Sequence, residues 1–410
     1  MLCGLDQLAG QELGTLRRRL RGARLGVLTH AAAIDRHGRQ TLRVLEELGA
    51  APTVVFVPEH GLECAAQAEE PIPSSEPVDS ASSDPAHGRV ISLYGTDRQS
   101  LSPPSEELER IDVLLIDIAD VGSRYYTYVW TALLAARAAA AAGRHTVILD
   151  RPNPLGADPA SLEGAPQQPG FLSFVGLEPL PIRHCMTVAE VVTLFLERDG
   201  GMLGPDGSLS VVPTLGWERY RDAEAWGHRF VMPSPNMPTL ETAQVYPGGC
   251  LIEGTNLSEG RGTTAPFQLV GAPFLDGRKL AASLSEAGVP GALIRPVTFR
   301  PVFGKYANEI CRGVMIHVER PALFRPVAAY LTLIALARAQ APEQFAFRTE
   351  PYEFESEIPA FDLLTGSAVA RSLLEEGASV ERLVAELCPV DAGWRDTVQS
   401  GESRLGRAHA

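Results

Sequence analysis

The chain's absences narrow its function first. Its six cysteines (Cys3, Cys64, Cys185, Cys250, Cys311 and Cys388) form no Cys-x-x-Cys pair and no short His/Cys spacing. Neither a zinc site nor a disulfide framework is expected, and idle thiols in a reducing compartment fit best. No segment approaches the roughly 18 apolar residues of a membrane span, and the opening "MLCGLDQLAGQELGTLRRRL" holds no apolar stretch of signal-peptide length. That reads as a cytoplasmic protein, or a secreted one if the true start lies upstream. "GRGTT" (260–264) lacks the Lys-Ser/Thr ending of a phosphate loop and the strand–turn–helix setting of a dinucleotide fingerprint. No cofactor and no metal are expected. The longest basic run is "RRRLRGAR" (17–24), and 36 Lys and Arg stand against 50 Asp and Glu, a formal charge of −14. That balance repels a polyphosphate backbone, so nucleic acid is excluded and the run reads as a solvated helix face.

What is present is a loop-rich globular composition, with 45% hydrophobic residues, 38 Gly and 32 Pro in 410 residues, long enough for two domains. Five apolar runs are continuous rather than alternating: "RLGVLTH" (24–30), "TVVFVPE" (53–59), "RVISLYG" (89–95), "IDVLLIDI" (111–118) and "HTVILD" (145–150). Such runs read as strands buried on both faces. Helical patterns lie between them at 40–50 and 131–143, and "TVAEVVTLFLERDG" (187–200) opens on a Thr-x-x-Glu capping box. This alternation predicts an α/β fold, a Rossmann-like, mostly parallel sheet. The proline-dense "VMPSPNMPTL" (231–240) is an extended connector, after which strands at 292–299 and 313–318 and a helix at 326–340 form a smaller C-terminal α/β domain. The boundary is placed near residue 235, giving domains 1–235 and 236–410, and "SSEPVDSASSDPAHG" (74–88) reads as a polar loop or flap.

Ligands of open parallel sheets sit beyond the carboxyl ends of the strands, and here those ends carry polar chemistry. They deliver Thr29 and His30; Glu59 and His60; Asp117, Asp120, Arg124, Tyr125 and Tyr126; then Asp150, Arg151 and Asn153. The bland reading holds for Asp150 in "DRPNPLG", which suits a turn, and for His145, His228 and His317 as structural histidines. Glu59 differs, because glutamate is a poor turn former and no helix cap, yet it directly follows an apolar strand. A second dense stretch, "CLIEGTNLSEGRGTTAPF" (250–267), offers Glu253, Asn256, Glu259 and Arg261 in a Gly-rich loop suited to close contact with a ligand, or to a hinge. Arg183 and His184 precede the capped helix, and Asn236 lies in the connector.

The series "VPEHGLEC", "DIADVGSRYYTYVW", "LDRPNPLG", "PIRHCMT" and "PSPNMPTLETAQVYPGGCLIEGTNLSEGRGTTAPF" resembles the bacterial exo-β-N-acetylmuramidase family, glycoside hydrolase family 171, from about residue 22 to about residue 375. The resemblance implies an exo-acting hydrolase that removes N-acetylmuramic acid from the non-reducing ends of peptidoglycan fragments in cell-wall turnover, with its cleft between the two domains. It places the catalytic glutamate of the Pro-Glu-His-Gly motif on Glu59. Cleaving a β-glycoside requires an acid for the leaving oxygen, the role expected of Glu59. A second carboxylate lies roughly 6.5–9.5 Å away in an inverting enzyme or roughly 5–5.5 Å in a retaining one, unless the substrate's acetamido group assists. Glu253, Glu259 and Asp120, in that order, are the expected partners. The lactyl carboxylate of muramic acid calls for an arginine, drawn from Arg124, Arg151, Arg183 and Arg261. His30, His60, Tyr126, Asn153, His184, Asn236 and Asn256 complete the expected sugar-binding set.

Two other readings compete. Asp117, Asp120 and Asp150 could bind Mg²⁺ in a metal-dependent hydrolase or phosphotransferase, or the cleft could belong to a wall-fragment binding protein without turnover.

Overall fold

The computed structural model describes residues 1–10, 13–71, 88–221 and 229–409. The polar stretch expected at 74–88 falls, but for its last residue, outside the described residues, as does His228. The continuous apolar runs are strands buried along their length: β1 (Leu25–Thr29), β2 (Val54–Val57), β4 (Val113–Asp117) and β5 (His145–Leu149), with β3 (Arg89–Ser92) and β6 (Leu209–Val212) at the edges. They form one parallel sheet in the order β3-β2-β1-β4-β5-β6. Side-chain alternation divides each strand between two apolar layers. Leu25, Val27, Val113, Leu115, Val147 and Leu149 join one core with Leu5, Leu8 and Leu45. Leu28, Leu114, Ile116 and Ile148 face the other, which holds Trp130 and Phe195. A sheet covered on both faces needs apolar residues on both, which is why the runs do not alternate.

The helix Val188–Arg198 starts as its sequence predicts. Thr187 Oγ1 accepts the Glu190 amide at 3.2 Å, and the Glu190 carboxylate accepts the Thr187 amide at 2.9 Å. The basic stretch 17–24 lies largely in the helix Gly14–Gly22, which buries Leu16 and Leu20 and exposes Arg18 and Arg19. After the connector, the chain forms the helix Leu240–Gly249, a 3₁₀ turn at Cys250–Gly254, and an antiparallel sheet of β7 (Leu269–Ala272), β8 (Ala292–Phe299) and β9 (Cys311–Val318) in the order β7-β9-β8. The helix Pro326–Gln340 packs against the helices Leu240–Gly249 and Gly277–Ala287, and its Tyr330 hydroxyl donates to the Phe267 carbonyl at 2.5 Å. β6 and β7 are four-residue strands that apolar runs alone do not single out. The architecture is α/β with a second, small sheet, as the alternation implies. Among the described residues no helix is long and apolar enough to cross a membrane.

Candidate active site

The loop that leaves β2 is turned sharply at Pro58–Gly61. The Gly61 amide donates to the Pro58 carbonyl at 3.1 Å, and His60 and Gly61 take φ of 71° and 76°. Positive φ is open to glycine but costly for histidine, of order 1–3 kcal/mol. His60 is held there because its Nδ1 donates to the Ala66 carbonyl at 2.8 Å, while its own carbonyl accepts the Ala65 amide at 3.0 Å. The turn delivers Glu59, only 6% exposed, into a cleft that, with the solvent at its mouth, holds about 480 Å³ of empty space. There Thr127 Oγ1 donates to Glu59 Oε2 at 3.0 Å and the Glu69 amide to Oε1 at 3.2 Å. Thr127 stands at the start of the helix Tyr128–Ala141, so the β2 and β4 connections meet at this carboxylate.

The facing wall comes from the second half of the chain. Glu253 accepts Arg261 Nη2 at 2.6 Å and Nε at 3.2 Å on one oxygen, and the Tyr352 hydroxyl at 2.7 Å on the other. Burial pushes the Glu253 carboxyl up, but the Arg261 charge and these bonds override it and hold the group below the usual carboxylate range. Tyr126, Asn236, Tyr246, Phe267 and Glu353 complete the lining, and the Asn236 amide donates to Gln67 Oε1 at 2.8 Å, tying connector to loop. Four of the expected residues besides Glu59 and Glu253 therefore line one cleft: His60, Tyr126, Asn236 and Arg261.

The rest are placed elsewhere, each for a physical reason. Arg124 is fully buried and donates to the carbonyls of Ala165 (2.9 Å), Leu180 (2.9 Å) and Leu364 (2.5 Å); it staples chain segments and cannot reach a ligand. Arg151 is paired with Asp117 at 2.5 Å and 3.0 Å. Arg183 reaches inward to the Leu155 carbonyl at 2.9 Å. Asn153 caps a turn at the Leu155 amide (2.9 Å) and lies under Gly122, where an added Cβ would stand 2.1 Å from its Oδ1. His184 is 1% exposed and accepts the Met186 amide at 3.2 Å; burial drives its pKa down to about 3. Asn256 joins strands of chain through the Ala346 amide (2.9 Å) and Gln344 carbonyl (2.8 Å). His30 is buried behind the cleft, accepting the Ala119 amide at 2.9 Å and meeting Cys64 Sγ at 3.1 Å, with its ring 5.0 Å from that of Tyr128. Burial and Arg151 lower its pKa to about 3, so it is a neutral wall residue.

Of the expected carboxylate partners, Glu259 is tied to Lys305 at 3.0 Å and lies outside the cleft lining, behind Arg261. Asp120 lines a different cavity, with Ala32, Ile34, Arg151 and Phe230, beyond the ends of β1 and β4 where the strand order reverses. It accepts the Gly122 amide at 2.7 Å, and burial raises its pKa to about 7. The metal reading fails on the same geometry. Asp117 is neutralised by Arg151 and bonded by Thr41 at 2.6 Å. Asp150 accepts Thr187 Oγ1 at 2.9 Å and the Ala189 amide at 3.3 Å, anchoring a helix start rather than initiating a turn. Among the described residues no group of three His, Cys, Asp or Glu side chains is placed to hold a metal ion.

Residues that sequence reasoning passed over include Glu69, Thr127, Tyr352 and Glu353, all lining the cleft. Glu69 and Glu353 lie in segments without strand or helix periodicity, and nothing in "QAEEP" or "PYEFESE" separates them from surface acids.

Two family models cover most of the chain: "Exo-beta-N-acetylmuramidase NamZ, N-terminal" over residues 25–241 and "Exo-beta-N-acetylmuramidase NamZ, C-terminal" over 244–400. The chain is 37% identical over 382 residues to the peptidoglycan beta-N-acetylmuramidase NamZ of Bacillus subtilis (strain 168), covering 93% of this chain and 86% of that one. The crystal structure of a DUF1343 family protein from Bacteroides fragilis NCTC 9343 superposes with a TM-score of 0.80 at 26% identity, covering 100% of this chain and 98% of the other. A second DUF1343 structure from that organism shares the fold, with a TM-score of 0.68 at 23% identity and the same coverage. On two family models and a relative matched over nearly its whole length, this chain belongs to the exo-β-N-acetylmuramidase NamZ family.

Proposed function

We propose that the chain hydrolyses the β-glycosidic bond of a terminal N-acetylmuramic acid residue in peptidoglycan fragments, and that Glu59 is a catalytic carboxylate of that reaction. The observation that carries this is the convergence on Glu59. A strained turn sets it at the mouth of a strand, two donors orient its oxygens, and aromatic rings of both halves of the chain wall the cleft around it. An orienting hydroxyl and amide hold the group in one pose, which reactions at a sugar carbon require. Tyr126, Tyr246 and Phe267 give the sugar apolar faces. Arg261, the cation among the four expected arginines that lines the cleft, meets the lactyl carboxylate with the edge that Glu253 leaves open.

The test is release of chromophore from an aryl β-N-acetylmuramide by wild-type protein and by Glu59→Gln, with and without a chelator. Turnover that survives chelation and falls by on the order of 10³-fold or more in Glu59→Gln supports the reading. Full activity in Glu59→Gln refutes it. Binding of the muramide with no turnover in wild type would favour a wall-fragment binding protein instead.

A further inference from the structure

We propose that Glu353 is the proton donor of this cleavage and that Glu59 acts beside it as the second catalytic carboxylate. The inference rests on the reading of the cleft as the hydrolytic site and assigns the partner that none of the expected carboxylates supplies. Glu253 is paired with Arg261, Glu259 with Lys305, and Glu69 with Arg348 at 3.2 Å, while Asp120 opens into the other cavity. Glu353 lines the cleft with Glu59, is buried, and has no cation bonded to it among the described residues. Among the described residues its hydrogen bond is from the Tyr94 hydroxyl to Oε2 at 3.0 Å, and Oε1 is the oxygen for a proton and a substrate contact.

The backbone that presents Glu353 supports the assignment. Tyr352 and Glu355 exchange amide–carbonyl bonds of 2.8 and 3.0 Å, closing a two-residue hairpin with Glu353 and Phe354 at its tip. Both tip residues have positive φ, 48° and 65°, the conformation for which Asn-Gly is favoured and Glu-Phe is unfavourable. Packing holds it. The Phe354 ring sits against Tyr94 (5.4 Å) and Phe174 (6.1 Å), and Arg98 donates to its carbonyl at 3.2 Å. Strain of this kind persists where a side chain must be aimed. The charges facing Glu353 are those of Glu59 and Glu69 from the β2 loop and Glu253 from the 3₁₀ turn, and the nearby cations Arg261 and Arg348 are already paired. Burial and the charges of Glu59 and Glu69 therefore push the Glu353 carboxyl well above the usual carboxylate range, which favours its protonated form. Glu59 accepts two donors, which fix the direction of its oxygens. In the reaction the Glu353 O–H bond breaks and its proton goes to the bridging oxygen, which leaves C1 with the bonding pair. Water supplies the hydroxyl that ends on C1, and its other proton restores the carboxyl pair. On this proposal the acid role expected of Glu59 falls to Glu353.

The experiment compares wild type, Glu353→Gln and Glu59→Gln on two substrates: a muramyl–glucosamine disaccharide, whose leaving oxygen needs a proton, and a dinitrophenyl β-N-acetylmuramide, whose leaving group does not. Glu353→Gln is expected to lose on the order of 10²–10⁴-fold in kcat/KM on the disaccharide and under about tenfold on the aryl substrate, with the alkaline limb of its pH profile gone. Glu59→Gln is expected to lose on both. Equal losses on the two substrates in Glu353→Gln, or none, overturn the proposal, as does a leaving-group dependence found in Glu59→Gln instead. If the thermal midpoint of Glu353→Gln shows misfolding, Glu353→Asp takes its place, with the same selective loss expected and a uniform loss overturning it. No turnover by wild type on either substrate overturns the reading of the cleft itself, and the assignment with it.

Discussion

Arg261→Met isolates what the Arg261–Glu253 pair contributes. The substitution keeps much of the apolar stem and removes the guanidinium, whose Cζ stands 5.1 Å from the centre of the Phe267 ring. Glu253, 7% exposed, then keeps, among the described residues, the Tyr352 hydroxyl at 2.7 Å as its side-chain hydrogen bond. Removing one partner of a buried pair costs about 3–5 kcal/mol, and the remaining hydroxyl argues for the lower end, about 3 kcal/mol. With an unfolding entropy near 2.1 cal/mol/K per residue, about 0.9 kcal/mol/K for 410 residues, that is a fall of about 3 °C in Tm. The pH dependence gives the sign. In wild type the folded-state pKa of Glu253 is depressed, so its contribution is present above the unfolded value of about 4.3 and is lost as pH falls through the folded value. Without Arg261, burial raises the folded pKa, the carboxylate is penalised at high pH, and the penalty vanishes as the group takes up a proton. Calorimetry should therefore show a wild-type–variant gap of about 3 °C near pH 8 that narrows toward pH 5. Adding Glu253→Gln to the variant should close most of the gap near pH 8. A gap of equal size at both pH values, or no gap at about pH 8, refutes the reasoning.

Arg124→Ala removes the donor from two buried carbonyls and one part-buried one, so its Tm should fall by at least as much, while KM for the aryl muramide in the folded fraction stays within about twofold because Arg124 does not reach the cleft. A large rise in KM at unchanged Tm would return Arg124 to the substrate. Thr187→Ala breaks the capping box and its bond to Asp150, a loss of about 1 kcal/mol or a little more, read as a Tm drop of about 1–2 °C; an unchanged Tm would show that the cap is redundant.

The sequence by itself determined the architecture. Continuous apolar runs can be satisfied only by a sheet covered on both faces, and the Thr187–Glu190 box marks its helix start through bonds spanning three residues. Glu59 was legible for the same local reason: a glutamate has little structural use directly after a buried strand. Tertiary structure decided which polar strand ends meet. Asp117, Asp150 and Arg151 sit in the same kind of position as Glu59, yet packing engages them elsewhere, Asp117 with Arg151 and Asp150 with Thr187, because a buried polar group must find a partner. Arg124 follows the same rule with carbonyls 41 to 240 residues away in sequence. Glu353 stands 294 positions from Glu59 in a hairpin with no periodic signature. Only the closing of the second half of the chain over the parallel sheet brings the two carboxyls into one cleft, where neither can be treated apart from the charge of the other.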